Sequence, residues 1–350
     1  MSDREKIKIT WDDVGNAKPH SSPPRPPVSA KVPSSGTKNY GNVSSSVSTG
    51  NSGFSEGGNI LLKAWVYLGL GGVLGAFFAW VLCEPTFNDS GTEGFGNYLL
   101  FTLLVAFMSV GCAIAESIAE RSLPKALIRG VIALFLGLIL GFLLGTIADL
   151  IFMILLEVLM PIDLESPLLW LSRAAAWAVY GIAPGLVYGV AGQSAKKCLY
   201  GCIGGVAGAF LGGLLFDPIV MVFDGQAEAS RAFGCSIVGL SAGAAMGLVE
   251  AALKDRWIFV RGGPLAGKQF VLYKDRTTLG SKPKCDLYLF KDPQVMPEHA
   301  VFEIRSGSVY LTPIGQVQVS GRSFPGGTIS DGANIQIGRY SFEYREKKKS

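Results

Sequence analysis

Histidine is nearly absent from this chain, with two in 350 residues, His20 and His299. That excludes a histidine-built catalytic or metal centre inside its apolar middle, and no metal site is expected elsewhere. Charge is scarce too. Charged residues make up 17% and the net charge is +4, too mild a surplus to draw nucleic acid. Enzyme signatures are also missing: there is no Walker loop, nucleophile elbow, zinc-helix motif or kinase set. The stretch "GSKPKCD" lacks the Gly-x-x-x-x-Gly-Lys frame of a phosphate loop. No catalytic residue, no cofactor and no enzymatic activity are therefore expected. The six cysteines (83, 112, 198, 202, 235 and 285) fall mostly in apolar sequence and read as small packing residues without a disulfide framework. Cys198 and Cys202 share a helix face, but no second pair or histidine completes a metal site. No apolar run precedes residue 59, so no cleaved leader is read.

What the chain has in plenty is glycine, 45 residues, and hydrophobic sequence, 49%. Its length allows two domains, and its composition is too apolar and glycine-rich for an ordinary soluble globule. Three times a base is followed by an acid across an apolar stretch: Lys63 to Glu84, Arg129 to Asp149 and Lys197 to Asp217. Some twenty helical residues rise ~30 Å, the depth of a bilayer's hydrocarbon layer. The expected fold class is a multi-domain membrane protein: a disordered tail, an all-α six-helix transmembrane bundle, and an all-β sandwich.

The tail is residues 1–58, rich in Pro, Ser, Gly and Asn, as in "SPPRPPV". The bundle is 59–254, with spans near 61–83, 97–118, 129–153, 171–194, 198–222 and 232–253. The even-numbered spans end alike, at Ala115-Glu116-Ser117, Gly192-Gln193-Ser194 and Val249-Glu250-Ala251, each followed by bases, which reads as three repeats of a helical hairpin. Lys63, Arg121, Lys125, Arg129, Lys196, Lys197, Lys254 and Arg256 flank one side. The other side has Arg173 and Arg231 among ten acids. The positive-inside rule then puts both termini in the cytoplasm.

Small residues recur every four positions, as in Gly181/Gly185/Gly189 and Gly204/Gly208/Gly212. Such seams let helix backbones approach closely and predict a tight bundle with little room for a wide pore. Glu116, Gln193 and Glu250 are the candidate intramembrane polar sites. They read first as interfacial anchors near basic flanks and second as an ion path. Pro184, inside the fourth span, can break its helix and is the best single pointer toward a substrate site; the commoner reading is a tolerated kink.

From residue 255 to 346 the hydrophobic period changes to two. Nine short segments, from "WIFVRGG" to "YSFEYRE", alternate apolar and polar residues between turn signals and predict a β-sandwich, with a basic tail at 347–350. Three blocks carry a family likeness: "TTLGSKPKCDLYL" (Thr277–Leu289), "VMPEHAVFEI" (Val295–Ile304) and "ISDGANIQIGRYSFEY" (Ile329–Tyr344). Together they resemble the forkhead-associated (FHA) domain, a reader of phosphothreonine peptides. The resemblance implies a phosphopeptide site at Ser281, Lys282, Lys284, Met296, His299 and Ser320. Several of these depart from the family's pattern. Its arginine after glycine falls on Ser281, its serine on Met296 and the next arginine on Pro297. Its Asn-Gly turn falls near Gly315-Gln316 or Ser320-Gly321, without an asparagine. His299 is retained, and in the family that histidine buttresses the loops. Losing a guanidinium fork and a hydroxyl weakens recognition of a phosphate group.

The implied function is a membrane-anchored, cytoplasm-facing recognition or signalling scaffold whose dependence on phosphothreonine is reduced. The alternative is a small transporter or channel regulated by its FHA-like domain, and a third reading gives the sandwich a self-association surface. Expected partners are the lipid bilayer and a cytoplasmic protein or phosphopeptide. Within the tail, Thr10-Trp11-Asp12-Asp13 offers a short Thr-x-x-Asp match for such a reader, of the kind chance readily supplies.

Overall fold

The computed structural model describes residues 60–88, 95–159, 166–223 and 226–347. The expected disordered tail, including Thr10 and His20, lies outside them, as do the last three residues of the basic tail. Seven helices come first: α1 (Ala64–Cys83), α2 (Phe95–Ala119), α3 (Leu123–Leu159), α4 (Pro167–Tyr180), α5 (Ile182–Ala191), α6 (Ala195–Val222) and α7 (Ala227–Leu253). With α4 and α5 taken as one interrupted rod, six helices among the described residues are long and apolar enough to cross a membrane.

The interruption falls at Gly181, three residues before Pro184. Proline has no N–H to offer the carbonyl four residues back, Tyr180, and its ring crowds that carbonyl. The break thus sits at the proline's blocked acceptor rather than at the proline itself. Helix α3, at 37 residues, is longer than the expected 129–153 span. At 1.5 Å per residue it reaches ~55 Å.

The glycine seams work in facing pairs. A Cβ added at Gly181 would collide with the backbone of Gly205, one at Gly185 with Gly201, and one at Gly189 with Cys198, so α4 and α5 run against α6 backbone to backbone. Gly72 meets Gly239 between α1 and α7, and Gly71 meets Gly111 between α1 and α2. The small polar residues of α2 bond within their own helix: Ser109 Oγ donates to Val105 O at 2.7 Å and Ser117 Oγ to Ala113 O at 3.2 Å.

Two residues, Lys254 and Asp255, join α7 to the sandwich. Eleven strands follow: β1 (Arg256–Gly262), β2 (Gln269–Val271), β3 (Arg276–Gly280), β4 (Leu287–Tyr288), β5 (Ala300–Arg305), β6 (Ser308–Pro313), β7 (Gln318–Val319), β8 (Arg322–Ser323), β9 (Gly327–Ile329), β10 (Asn334–Ile337) and β11 (Tyr340–Glu346). The sequence pattern predicts nine. The two it misses, β8 and β9, are short and lie in "GRSFPGGTIS" (Gly321–Ser330), where glycine and proline leave no alternating run. One sheet runs β2-β1-β11-β10-β7-β8 and the other β4-β3-β5-β6-β9. Between them lie Ile258, Leu279, Phe302, Leu311, Ile335 and Phe342, all 1% exposed or less. Ile304 is only partly buried at the margin of this core, whereas Tyr340 and Tyr344 are wholly enclosed.

Candidate functional site

Three loops at one end of the sandwich are laced together by backbone. Strand β3 ends at Gly280, where a side chain would strike the carbonyl of Pro297. Beyond it, Ser281 N donates to Met296 O at 2.9 Å and Lys282 N to Pro297 O at 3.3 Å, tying the β3–β4 loop to the β4–β5 loop. His299 fastens the third. Its Nδ1 accepts from Met296 N at 3.0 Å, which leaves Nε2 to carry the proton and donate to Gln316 O at 2.9 Å in the β6–β7 loop. The ring is 2% exposed and lies where a Cβ on Gly315 would be. Glycine at 315 and histidine at 299 therefore form one fitted pair.

On this frame Met296 stands 45% exposed, Lys282 and Lys284 are exposed, and Ser281 is half-buried. Lys291 projects from a left-handed backbone position, and its carbonyl accepts from the guanidinium of Arg339. Arg339 was not among the residues singled out from the sequence. It lies in the β10–β11 turn, inside the third of the family-like blocks but far along the chain from the loop residues it joins. The loops thus bring together Ser281, Lys282, Lys284, Met296 and His299. Ser320 is placed elsewhere, in the β7–β8 turn, where its N–H donates to Asn334 O at 2.7 Å. The surface offers ammonium groups and an apolar thioether, so it can hold an extended peptide by charge and apolar contact. It has no guanidinium fork at the phosphate-reading positions.

A second constellation lies where the sandwich meets the helices. Glu116 of α2 pairs with the Lys197 ammonium and with Arg129 Nη1 at 2.9 Å. The Tyr188 hydroxyl donates to Glu250 Oε2 at 2.9 Å and lies 3.3 Å from Glu116 Oε1. Glu120 pairs with Lys125 at 3.2 Å and stands 4.0 Å from Lys268 of the sandwich. A small cavity of about 70 Å³ opens among Tyr67, Glu116, Arg129, Lys197, Glu250 and Lys268. The Lys268 ammonium, on a side chain 2% exposed, has no hydrogen-bond partner. Burial pulls its pKa below the ordinary lysine value against the opposing pull of Glu120 and Glu116. Burial raises the Tyr273 hydroxyl, and the Glu250 carboxylate beside it raises it further. Lys125 Nζ also donates to Asp286 O at 2.8 Å, and Lys347 Nζ to Ala252 O at 2.6 Å, so the contact engages the β3–β4 loop and the residue after β11.

Of the three polar positions expected in the spans, Glu116 and Glu250 converge and Gln193 does not. Gln193 is exposed in the α5–α6 turn with a left-handed backbone. The last-turn bonds explain why. Glu120 N donates to Glu116 O, Gly192 N to Tyr188 O and Lys254 N to Glu250 O. In these turn bonds Tyr188, five residues before Gln193, stands in the same local position as Glu116 and Glu250. Gln193 matches Arg121, which shares its left-handed turn.

The FHA family model matches residues 277–338, within the sandwich, and leaves the helices unassigned. The oxoglutarate dehydrogenase inhibitor of Corynebacterium efficiens is 31% identical over 103 residues, which are 29% of this chain and 72% of that protein. Its namesake in Corynebacterium diphtheriae is 30% identical over 92 residues, 25% of this chain and 64% of that one. The chain thus spans about two thirds of the length of these curated relatives, whose names mark them as inhibitors rather than enzymes. Among solved structures, the FHA domain of CT664 protein from Chlamydia trachomatis is 24% identical. That alignment covers 27% of this chain and 100% of that one, at a TM-score of 0.25.

Proposed function

The chain belongs to the FHA-domain family, and on that premise we propose that it is a membrane-anchored scaffold. Its sandwich faces the cytoplasm and recognises a partner protein with little dependence on phosphothreonine. The observation that carries this reading is the split at the loop surface. His299 still braces all three loops, while Met296 and Pro297 stand where the family's hydroxyl and guanidinium would meet a phosphate. A dianion needs charge-assisted donors in fixed positions, and flexible lysines give attraction without that geometry. Membrane anchoring is supported by α3, which turns Leu127, Val131, Phe135, Ile139 and Phe142 outward, each more than half exposed. The cytoplasmic side is supported by the basic residues gathered at the sandwich end.

The transporter reading draws on Glu116 and Glu250, yet Glu116 is held by two bases and Glu250 by a tyrosine at the sandwich contact. The scaffold reading makes Glu116→Gln with Glu250→Gln silent for solute movement in vesicles; abolished uptake supports the transporter instead. The main test titrates the full chain in lipid nanodiscs with a degenerate phosphothreonine peptide library and its unphosphorylated counterpart. Expected affinities differ by less than about tenfold, since lysines supply only point-charge attraction, and His299→Ala weakens both. A preference of a hundredfold or more for the phosphorylated set would overturn the proposal.

A further inference from the structure

The bundle holds a second cavity, at the end away from the sandwich, of about 350 Å³. Its walls are aromatic: Phe87, Phe101, Phe152, Trp177, Tyr180 and Phe216. These rings hold one another, Phe101 stacked on Tyr180 at 5.3 Å and Trp177 tilted against Phe216 at 5.7 Å. They come from after α1 and from α2, α3, α4 and α6, while Arg231 and Cys235 of α7 complete the wall. The volume is that of a small-molecule site.

Three charged residues line it, Asp149, Arg173 and Arg231. Both guanidiniums are already matched. Arg173 pairs with Asp217, and Arg231 grips Glu84 through two bonds, with its guanidinium 4.1 Å from the centre of the Phe87 ring. Asp217 is 6% exposed, and one of its oxygens has no hydrogen-bond partner. Asp149 accepts from the Tyr180 hydroxyl at 3.3 Å and has no ion-pair partner among the described residues. Two cations against three carboxylates leave the site one negative charge in excess. Aromatic faces add negative potential where a cation would sit. Among the described residues at this end of the bundle, Glu157 and Glu228 add further negative charge, a field that concentrates cations.

We infer that this cavity binds a small organic monocation with an aromatic or branched apolar body, its charge beside Asp149 and its body among the rings. The site is remote from the sandwich loops, so it stands or falls separately from phosphopeptide recognition. An acyl chain would fill the same space without using Asp149, and the test separates the two. The full chain in nanodiscs is titrated calorimetrically with benzyltrimethylammonium and with neopentylbenzene, its neutral isostere. Saturable binding of the cation is expected, with the isostere at least about tenfold weaker. Asp149 is itself exposed, so Asp149→Asn weakens cation binding about fivefold, the loss of one opposite charge in a partly solvated contact, and Asp149→Glu retains it. Equal affinity for the neutral isostere, an unchanged Asp149→Asn variant, or no saturable cation binding would each overturn the inference.

Discussion

Asp286 does three jobs with one carboxylate and its own carbonyl. Its side chain accepts from Thr278 N and Thr278 Oγ1, both at 2.9 Å, and from Lys274 Nζ at 2.8 Å, fixing β4 beside β3. Its carbonyl takes Lys125 from α3. Burial alone raises the carboxyl pKa, but the bonds from Lys274 and Thr278 outweigh it and leave the group below its ordinary value. A depressed carboxylate stabilises the fold fully above its unfolded pKa, about 3.9, and loses that contribution as pH falls through the folded value. Thermal unfolding of the full chain, followed by circular dichroism from pH 5 to pH 3, is expected to show a falling midpoint. In Asp286→Asn the midpoint is lower at pH 5 and the acid slope shallower; an unchanged slope would contradict this assignment. Tyr340, by contrast, adds no slope in that range. Burial pushes its hydroxyl up to about 12, and it donates to Phe290 O at 2.7 Å throughout.

Among the elements, the helix crossings turn on single glycines, and these are not equivalent. A methyl group at Gly72 would meet the carbonyl of Gly239 directly, whereas one at Gly145 would touch only the Tyr180 ring, at 3.4 Å. Gly72→Ala forces α1 and α7 apart and is expected to cost about 1–3 kcal/mol. Gly145→Ala, which gains helix propensity without a clash, is expected to be neutral or stabilising by up to ~1 kcal/mol. Unfolding midpoints of the two variants in one detergent check the contrast, and equal shifts would show that backbone contact is not what the seam supplies. The four-residue glycine spacing, the six apolar rods and the period-two end piece were all legible because each is a local pattern repeated along the chain. What was not legible needed partners distant in sequence. Tyr188 carries no mark separating it from a packing tyrosine until α5 lies beside α2 and α7. Lys268 reads as a strand-edge lysine until β2 meets the helices. Arg339 joins the loop surface only because the β10–β11 turn comes round to Lys291.

At the scale of the whole molecule, the helices and the sandwich share one buried ionic cluster, and its balance sets how firmly they hold each other. Glu116, Glu120 and Glu250 face Lys125, Arg129, Lys197 and Lys268, three acids against four bases. Lys268 is the base in excess. It is enclosed, lacks a hydrogen bond, and sits no nearer than 4.0 Å to a carboxylate. Both ammoniums lie over rings, Lys197 4.4 Å from the centre of Tyr188 and Lys268 5.0 Å from that of Phe270, but only Lys197 is bonded to a carboxylate, Glu116. Removing one partner of a buried pair strands the other charge and costs about 3–5 kcal/mol. Lys197→Met is thus expected to lower the unfolding midpoint and to open the linker at Lys254-Asp255 to protease. Lys268→Met leaves three acids against three bases and replaces a poorly solvated ammonium with an apolar group of similar length. Its junction should stay as protected as in the unaltered chain, or become more so. The two substitutions remove the same charge from the lining of one cavity, so comparing them isolates pairing from charge. If Lys268→Met loosens the junction as much as Lys197→Met, then the Lys268 ammonium holds the two parts together despite its missing hydrogen bond.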